Sequence, residues 1–303
     1  MGIESYQKIQ QIYHKEVADI LNSDNIVIEE KVDGSQFRIE IDTDGTIRCG
    51  SHHQELSMVD SMFKLATDTA ESIFAGYKPV DKVTIFCEYL KSPKQNTLVY
   101  DRIPKNNLVI FDVKIGNRYS SRHEKVKFAE TFGMEVVPAL FQGNGNAITS
   151  EVIQDLLKWK SFLGGATIEG IVIKAYNDFY DVNLYPYLQG HWKCAKIVRP
   201  EFKEMNSETQ VSQSRGLDRI KSLFNTEARW EKAIQHCKEL GQITGEMKDL
   251  KYIVPEVQND LEKEEIETIK NELYKEFGKE ILRHSIKGLP EYYGKKLNGI
   301  ESQ

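Results

Sequence analysis

Short apolar runs punctuated by polar turn residues recur through the first two thirds of the chain. NIVIEE, QFRIEID, TIRCGS, KVTIFCEYL, NLVIFDVKI, IEGIVIKAY and HWKCAKIV are short and rich in β-branched and aromatic residues. They are bounded by turn chemistry such as Thr43-Asp44-Gly45 and Gly116-Asn117, which predicts strands. One helix interrupts them: Ser150 is placed to cap it, Val152, Leu156, Trp159 and Leu163 recur at helical spacing, and Gly164-Gly165 ends it. After about residue 205 the period changes. SETQVSQSRG reads as a polar linker, and Trp230, Ala233, Ile234 and Cys237 then form an i, i+3, i+4, i+7 stripe ending near Gly241. Ile266, Ile269, Leu273, Phe277 and Ile281 form another stripe, stopped by Gly288 and Pro290. The acidic stretch from Glu256 to Glu267 reads as the solvated face and first turns of that helix. The expected architecture is therefore α+β: antiparallel sheets with flanking helices over residues 1–204, then a small all-helical domain over 205–303.

Composition adds limits. A chain of 303 residues, 40% hydrophobic and 28% charged, is that of a globular protein with a sizeable core. The net charge of −6 excludes a globally basic surface but not a local basic face. The start MGIESYQKIQ lacks the apolar stretch of a secretory signal, and no run is long and apolar enough for a membrane span. Cys49, Cys87, Cys194 and Cys237 are scattered without a CxxC pair, so reduced thiols and a cytoplasmic location are expected.

Candidate chemistry gathers around Lys31, just ahead of Asp33-Gly34. By itself Asp-Gly between two alternating runs is a hairpin signal, with Lys31 a solvated side chain near the bend. Its company changes that picture. Downstream come Glu88 in FCEYL, Phe111 and Asp112 in VIFDVKIG, Glu169 and Lys174 in IEGIVIK, and Lys193 and Lys196 in HWKCAKIV. Each run places an acid or a lysine inside an otherwise apolar strand. In this order they resemble the motif series of the covalent nucleotidyltransferases, which comprise ATP-dependent DNA and RNA ligases and GTP-dependent mRNA capping enzymes. That series is KxDG, a strand glutamate, an aromatic-Asp strand, EGhVhK (h is apolar) and a closing lysine strand. The resemblance spans about residues 25 to 200 and is most specific in KxDG and EGhVhK.

The resemblance implies ATP and Mg²⁺ (or Mn²⁺) as cofactors, with Lys31 as the adenylated residue. Glu30 would lie against the adenine, Glu88 would take the ribose hydroxyls, and Phe111 would stack on the base. Glu169 would act at the lysine and the metal, Asp112 at the metal, and Lys174, Lys193 and Lys196 near the phosphates. Three departures from the family pattern bear on these roles. The phage RNA ligase 2-like family usually has His where this chain has Asp33. The Ser-Arg that typically follows the third strand is missing from CGSHHQEL, leaving His52 or Arg48 as substitutes. The closing KhK becomes Lys193 and Lys196, three apart, which a regular strand points to opposite faces.

A lysine that attacks the α-phosphorus stores activation as a phosphoramidate, which can pass AMP to a 5′-phosphate before a 3′-hydroxyl displaces it. DNA ligases and capping enzymes follow the closing strand with an OB-fold barrel, whereas the helical pattern after residue 205 matches the RNA ligase 2-like family. The expectation is a monomeric ATP-dependent polynucleotide ligase sealing 3′-OH/5′-phosphate ends. Its partner would be a nicked RNA or RNA/DNA hybrid duplex, with RNA at least on the 3′-OH side and no membrane involved. Arg215, Arg219, Lys221 and Arg229 are the candidate grip on the ends. A GTP-dependent RNA guanylyltransferase or DNA ligase is the alternative enzyme, and a catalytically inactive end-binding protein is the alternative from another class.

Overall fold

Two sheets carry the strand-forming stretches of this computed structural model, which is described over residues 2–52, 54–56, 62–180, 183, 191–206 and 215–297. The chain divides into two compact units, Met1–Phe202 and Lys203–Gln303. Residues 207–214, most of the linker-like stretch, lie outside the described residues.

The first sheet has the order β1 (Gln10–Gln11), β11 (Trp192–Val198), β10 (Gly170–Phe179), β2 (Ile26–Lys31) and β9 (Ala139–Gly143). The second runs β4 (Ile47–Ser51), β3 (Ser35–Ile41), β5 (Val83–Tyr89), β6 (Leu108–Ile115) and β7 (Arg118–Tyr119), with β8 (Glu135–Val136) also on β6. Only the β1–β11 and β6–β8 pairs are parallel among the described strands.

β2 and β3 thus belong to different sheets, which overturns the hairpin reading of Asp33-Gly34. The segment is a crossover between sheets. Asp33 is buried, and its carboxylate accepts from the amides of Thr97 (2.9 Å) and Leu98 (2.7 Å) and from Asn96 Nδ2 (3.2 Å). A Cβ on Gly34 would stand 3.0 Å from Glu88 Oε2, Leu90 Cδ1 and the Tyr89 carbonyl, so only glycine lets the chain pass this close to β5.

Both faces of each central strand are covered. Outside the first sheet, Ile26, Ile28, Ile171, Ile173 and Ala195 pack with Val17, Ile20, Ile148 and Leu156. Outside the second, Phe37, Ile39, Ile85 and Ile110 meet α1 (Lys64–Ile73) and α2 (Arg122–Thr131) at Ala66, Ala70 and Ala129. Between the sheets lie Phe86, Tyr119, Val172, Trp192 and Cys194, with Tyr6 against them. Burial on two sides explains the nearly continuous apolar runs, and it makes the few charged residues inside them conspicuous. α2 begins with a capping box, in which the Ser121 hydroxyl accepts from the Glu124 amide and the Glu124 carboxylate accepts from the Ser121 amide.

The predicted helix near residue 150 is shorter than its apolar spacing. α3 (Ser150–Leu156) is capped by Thr149 rather than Ser150, and Trp159 and Leu163 lie beyond its end. Gly164 and Gly165, at φ of 78° and 71°, turn the chain back so that Lys160 bridges Thr167. Leu163 is thereby buried with Val32 and Tyr100 instead of on a helix face.

In the second unit every described regular element is helical: α4 (Gly216–Leu223), α5 (Glu227–Glu239), α6 (Leu250–Ser285) and α7 (Leu289–Leu297), with short 3-10 turns. Ile220, Leu223 and Phe224 form its core with Met205, Leu261, Ile269 and Phe277. Both predicted stripes need correction. On α5 Ala233 and Cys237 are buried, but Trp230 is 45% exposed and Arg229 lies inward instead. α6 starts at Leu250, so the acidic stretch lies in its first half but beyond its first turn, and Ile266, Leu273 and Ile281 remain exposed. Pro290 opens α7, a position where its missing N–H leaves no helical bond unmade.

Candidate active site

Lys31 ends β2 opposite Gly170 of β10, and Glu169 immediately precedes that glycine. Gly170 is dictated by packing, since a Cβ there would stand 2.3 Å from the Ile197 carbonyl on β11. Lys31 Nζ sits 2.7 Å from each oxygen of the buried Glu169 carboxylate. Burial pulls the Lys31 pKa down, but the Glu169 and Glu88 carboxylates, with Asp33 behind them, outweigh it and hold the amine above its ordinary value. Burial raises Glu169 in turn, against the pull of Lys31 and Lys196. The resting site therefore stores its candidate nucleophile as an ammonium.

Register decides which residues share the face of Lys31. Glu29 and Lys31 on β2, Val172 and Lys174 on β10, and Cys194 and Lys196 on β11 alternate onto one side. β11 is regular from Lys193 to Lys196, so the two lysines point apart. Lys193 Nζ meets Asp19 at 2.6 Å, away from this face. No bulge unites the closing pair.

Glu88 stands on β5 across from Gln36, and its charge reaches Lys31. His52 contacts Gln36 through Nδ1, so Gln36 on β3 stands between His52 and Glu88. Arg48, opposite Glu40 at the other end of the β3–β4 pair, is bonded to Glu40 and Asp42 instead. Of the two substitutes for the missing arginine, Arg48 is taken up by other carboxylates, and His52 reaches the residue that faces Glu88. Glu30 turns to the other side of β2, where Oε2 accepts the Phe162 amide at 3.0 Å and buried Oε1 has no hydrogen-bond partner. Burial raises its carboxyl, against the Ser161 hydroxyl and the Phe162 amide. The Glu30 side chain thus lies on the face of β2 opposite to Lys31, with Ile26 and Ile28, and the structure does not bring it to the Lys31 side. Phe111 is the extra residue of a β-bulge, because Phe86 pairs with Asp112 while Cys87 already pairs with Ile110. Its half-buried ring is T-shaped to that of Tyr6, with the ring centres 5.0 Å apart.

Lys174 and Asp112 form a second cluster. Lys174 Nζ lies 2.8 Å from Asp112, 2.8 Å from Glu29 and 2.7 Å from the Phe111 carbonyl, wholly buried. It lies opposite Val27, four residues or about 13 Å of strand from Lys31. Asp112 takes further bonds from Tyr6 and Tyr176. It is thus separated from Glu169, and the structure does not bring the two expected metal ligands together. Among the described residues no three His, Cys, Asp or Glu side chains converge as a ready metal site. Glu169 and Glu88 are the carboxylates beside Lys31, which fits Mg²⁺ or Mn²⁺ held by one or two carboxylates together with substrate phosphates and water.

Sequence reasoning missed Glu29, Lys125 and Arg122. Buried Lys125 reaches from α2 to Glu29 (2.7 Å) and to the Phe111 carbonyl (2.6 Å), and Arg122 also meets Glu29. Glu29 carried a signal, a charge two positions from Lys31 in a doubly buried strand; Lys125, one lysine among several on α2, carried none. Burial opposes ionisation of Glu29, but Lys125 and Lys174 win and pull it down to about 2. Burial pushes Lys125 down to about 8 against the pull of Glu29. A depressed carboxylate stabilises the fold fully above its unfolded value near 4.5, and that contribution is lost as pH falls through about 2. Glu29→Gln should therefore lower urea stability at pH 6 by about 3 kcal/mol, with the gap to wild type closing toward pH 2. A gap independent of pH would contradict the assignment.

In the second unit three of the four expected cations are neutralised. Arg229, 1% exposed, is tied to Asp260, to Glu265 at 3.2 Å and to the Glu204 carbonyl. Arg219 meets Glu272 at 2.7 Å and Glu276 at 3.4 Å, and Lys221 meets Asp218 at 3.1 Å. Exposed cations lie further on: Arg283 and Lys287, then Lys295 and Lys296 beside exposed Tyr292 and Tyr293 on α7.

The family model for RNA ligase matches residues 24–187, more than half of the chain and every strand of the Lys31 cluster except β11. No curated protein sequence matches. Among solved structures, Naegleria gruberi RNA ligase with PPi is similar at 14% identity and a TM-score of 0.50, covering 70% of this chain and 58% of that one. A mutant of that ligase with ATP and Mn is 16% identical with a TM-score of 0.49, covering 64% and 56%. This chain spans little more than half the length of those proteins.

Proposed function

This chain belongs to the RNA ligase family, and from that premise we propose that it is an ATP-dependent RNA ligase that seals 3′-OH/5′-phosphate ends at nicks through a lysine–AMP intermediate. The observation that carries this reading is the Lys31–Glu169 pair at the end of β2, with Glu88 close by and Lys196 on the same face.

In the first step neutral Lys31 Nζ attacks the α-phosphorus of ATP, the bond to the β-phosphate oxygen breaks, and pyrophosphate leaves. The amine must first lose its proton, and Glu169, bonded to Nζ through both oxygens, is the group placed to accept it or to surrender its grip. A divalent cation held by Glu169 and Glu88 would supply positive charge to the phosphates and favour the neutral amine. Lys196, facing the same cleft, adds fixed charge where the leaving pyrophosphate develops it. Phe111 offers a face to the base, and Glu88 offers acceptors to the ribose. AMP then passes from Lys31 to the 5′-phosphate, and the 3′-hydroxyl displaces it.

The grip on nucleic acid is assigned to the second unit. Arg283, Lys287, Lys295 and Lys296 supply phosphate contacts, and Tyr292 and Tyr293 offer stacking faces. The test is incubation with α-labelled ATP and Mg²⁺ or Mn²⁺, followed by a nicked duplex with RNA on the 3′-OH side. A denaturation-stable AMP adduct and a sealed product are expected; adduct with GTP alone would favour guanylyltransfer instead.

Lys196→Ala should lower the rate of adduct formation about 100-fold, whereas Lys193→Ala, which removes only the bond to Asp19, should stay within about threefold. Equal losses in single-turnover assays would mean that β11 presents both lysines to the nucleotide.

A further inference from the structure

Two buried ammonium groups converge on one backbone carbonyl. Lys125 Nζ and Lys174 Nζ donate to the Phe111 oxygen at 2.6 and 2.7 Å, filling both of its lone pairs. Phe111 is the bulged residue of β6, so its backbone lacks the ladder partner that would otherwise fix it. The same two lysines hold Glu29, which lies on the Lys31 side of β2, two positions from the nucleophile. Lys125 comes from α2, in a layer outside the second sheet, and its side chain is fully buried on the way. Buried ion pairs of this kind add little to stability over apolar residues of the same volume. What they add is a fixed distance and direction.

We propose, building on the nucleotidyl-transfer reading above, that Lys125 is a positioning residue for the nucleotide base: with Glu29 it fixes the Phe111 bulge relative to the strand that carries Lys31. The aromatic that stacks on the base and the amine that attacks the α-phosphorus are thereby tied through one charge cluster. A base stacked on a misplaced ring would leave the phosphate off the line of attack. Phosphate recognition by itself does not pass through this cluster, because Lys196, Glu88 and Glu169 lie outside it.

The test compares a whole nucleotide with its phosphates alone. Calorimetry on the full chain would measure the α,β-methylene analogue of ATP and inorganic tripolyphosphate, each with Mg²⁺. Two variants are used: Lys125→Met, and Glu29→Gln/Lys125→Met, which removes both charges and guards against an unpaired Glu29. The nucleotide analogue should bind about tenfold more weakly to both, the scale of a lost aromatic stack, while tripolyphosphate binding stays within twofold. Unchanged nucleotide binding, equal weakening of both ligands, or failure of both variants to fold would each overturn the positioning role. Failure of the wild-type protein to bind either ligand would count against the nucleotidyl-transfer reading instead.

Discussion

Lys31→Ala should abolish the AMP adduct, lowering its formation by at least about 1,000-fold, because no other amine has the same placement. Lys31 is paired to both Glu169 oxygens at the end of β2, whereas Lys174 and Lys125 are locked on Glu29 and Lys196 stands on β11, separated from β2 by β10. The fold should survive, since the Lys31 side chain is 31% exposed and Glu169, already raised by burial, can take up a proton once its partner is gone. A melt should place the variant within about 1 kcal/mol of wild type. Lys31→Arg should fail equally, because a guanidinium stays protonated and cannot attack. Peptide mass mapping of the wild-type adduct supplies the decisive check, and AMP on any other lysine would end this mechanism.

The strands and much of the cleft were legible because burial on both faces leaves so few places for charge. Glu88, Asp112, Glu169 and Lys174 stood out as charged positions inside apolar runs, and each proves to be in or beside the inter-sheet layer. Strand membership was less legible. Asp33-Gly34 has the local chemistry of a hairpin, yet β2 and β3 part to different sheets because β2 finds its partners in β10 and β9, far along the chain. Local sequence cannot encode that competition. Register gave a sharper result: a spacing of three separates Lys193 from Lys196 in any regular strand, and the structure keeps β11 regular. Helices misled where one stripe was too generous. Arg229 replaces Trp230 on the buried side of α5 because Asp260, Glu265 and Glu204 surround it with acceptors, and a hydrophobic pattern has no means of showing an ion pair. Lys125 was invisible for the same reason. Its role depends on Glu29, 96 positions away.

Cutting the chain after Phe202 should separate nucleotide chemistry from nick sealing. Every residue of the candidate site lies in the first unit, which has its own cores around both sheets. The cut belongs there and not further on. Glu204 and Asn206 are part of the second unit: the Glu204 carbonyl accepts from Arg229, and Asn206 bonds the carbonyls of Leu223 (2.7 Å) and Ser222 (2.7 Å). Residues 1–202 should form the lysine–AMP adduct within about threefold of the full chain, because positioning and electrostatics at the site need nothing beyond it. Sealing of a nicked duplex should fall at least about 100-fold, and its salt dependence should flatten as phosphate contacts disappear. Replacing Arg283, Lys287, Lys295 and Lys296 together by Gln in the full chain should reproduce much of that loss with the adduct intact, which ties the effect to charge rather than to the missing unit as a whole. A thermal melt of the truncated protein separates lost function from lost fold. If residues 1–202 melt cooperatively near the full-length temperature, yet form no adduct while still binding nicked duplex, then the division of labour between the two units is the reverse of the one argued here.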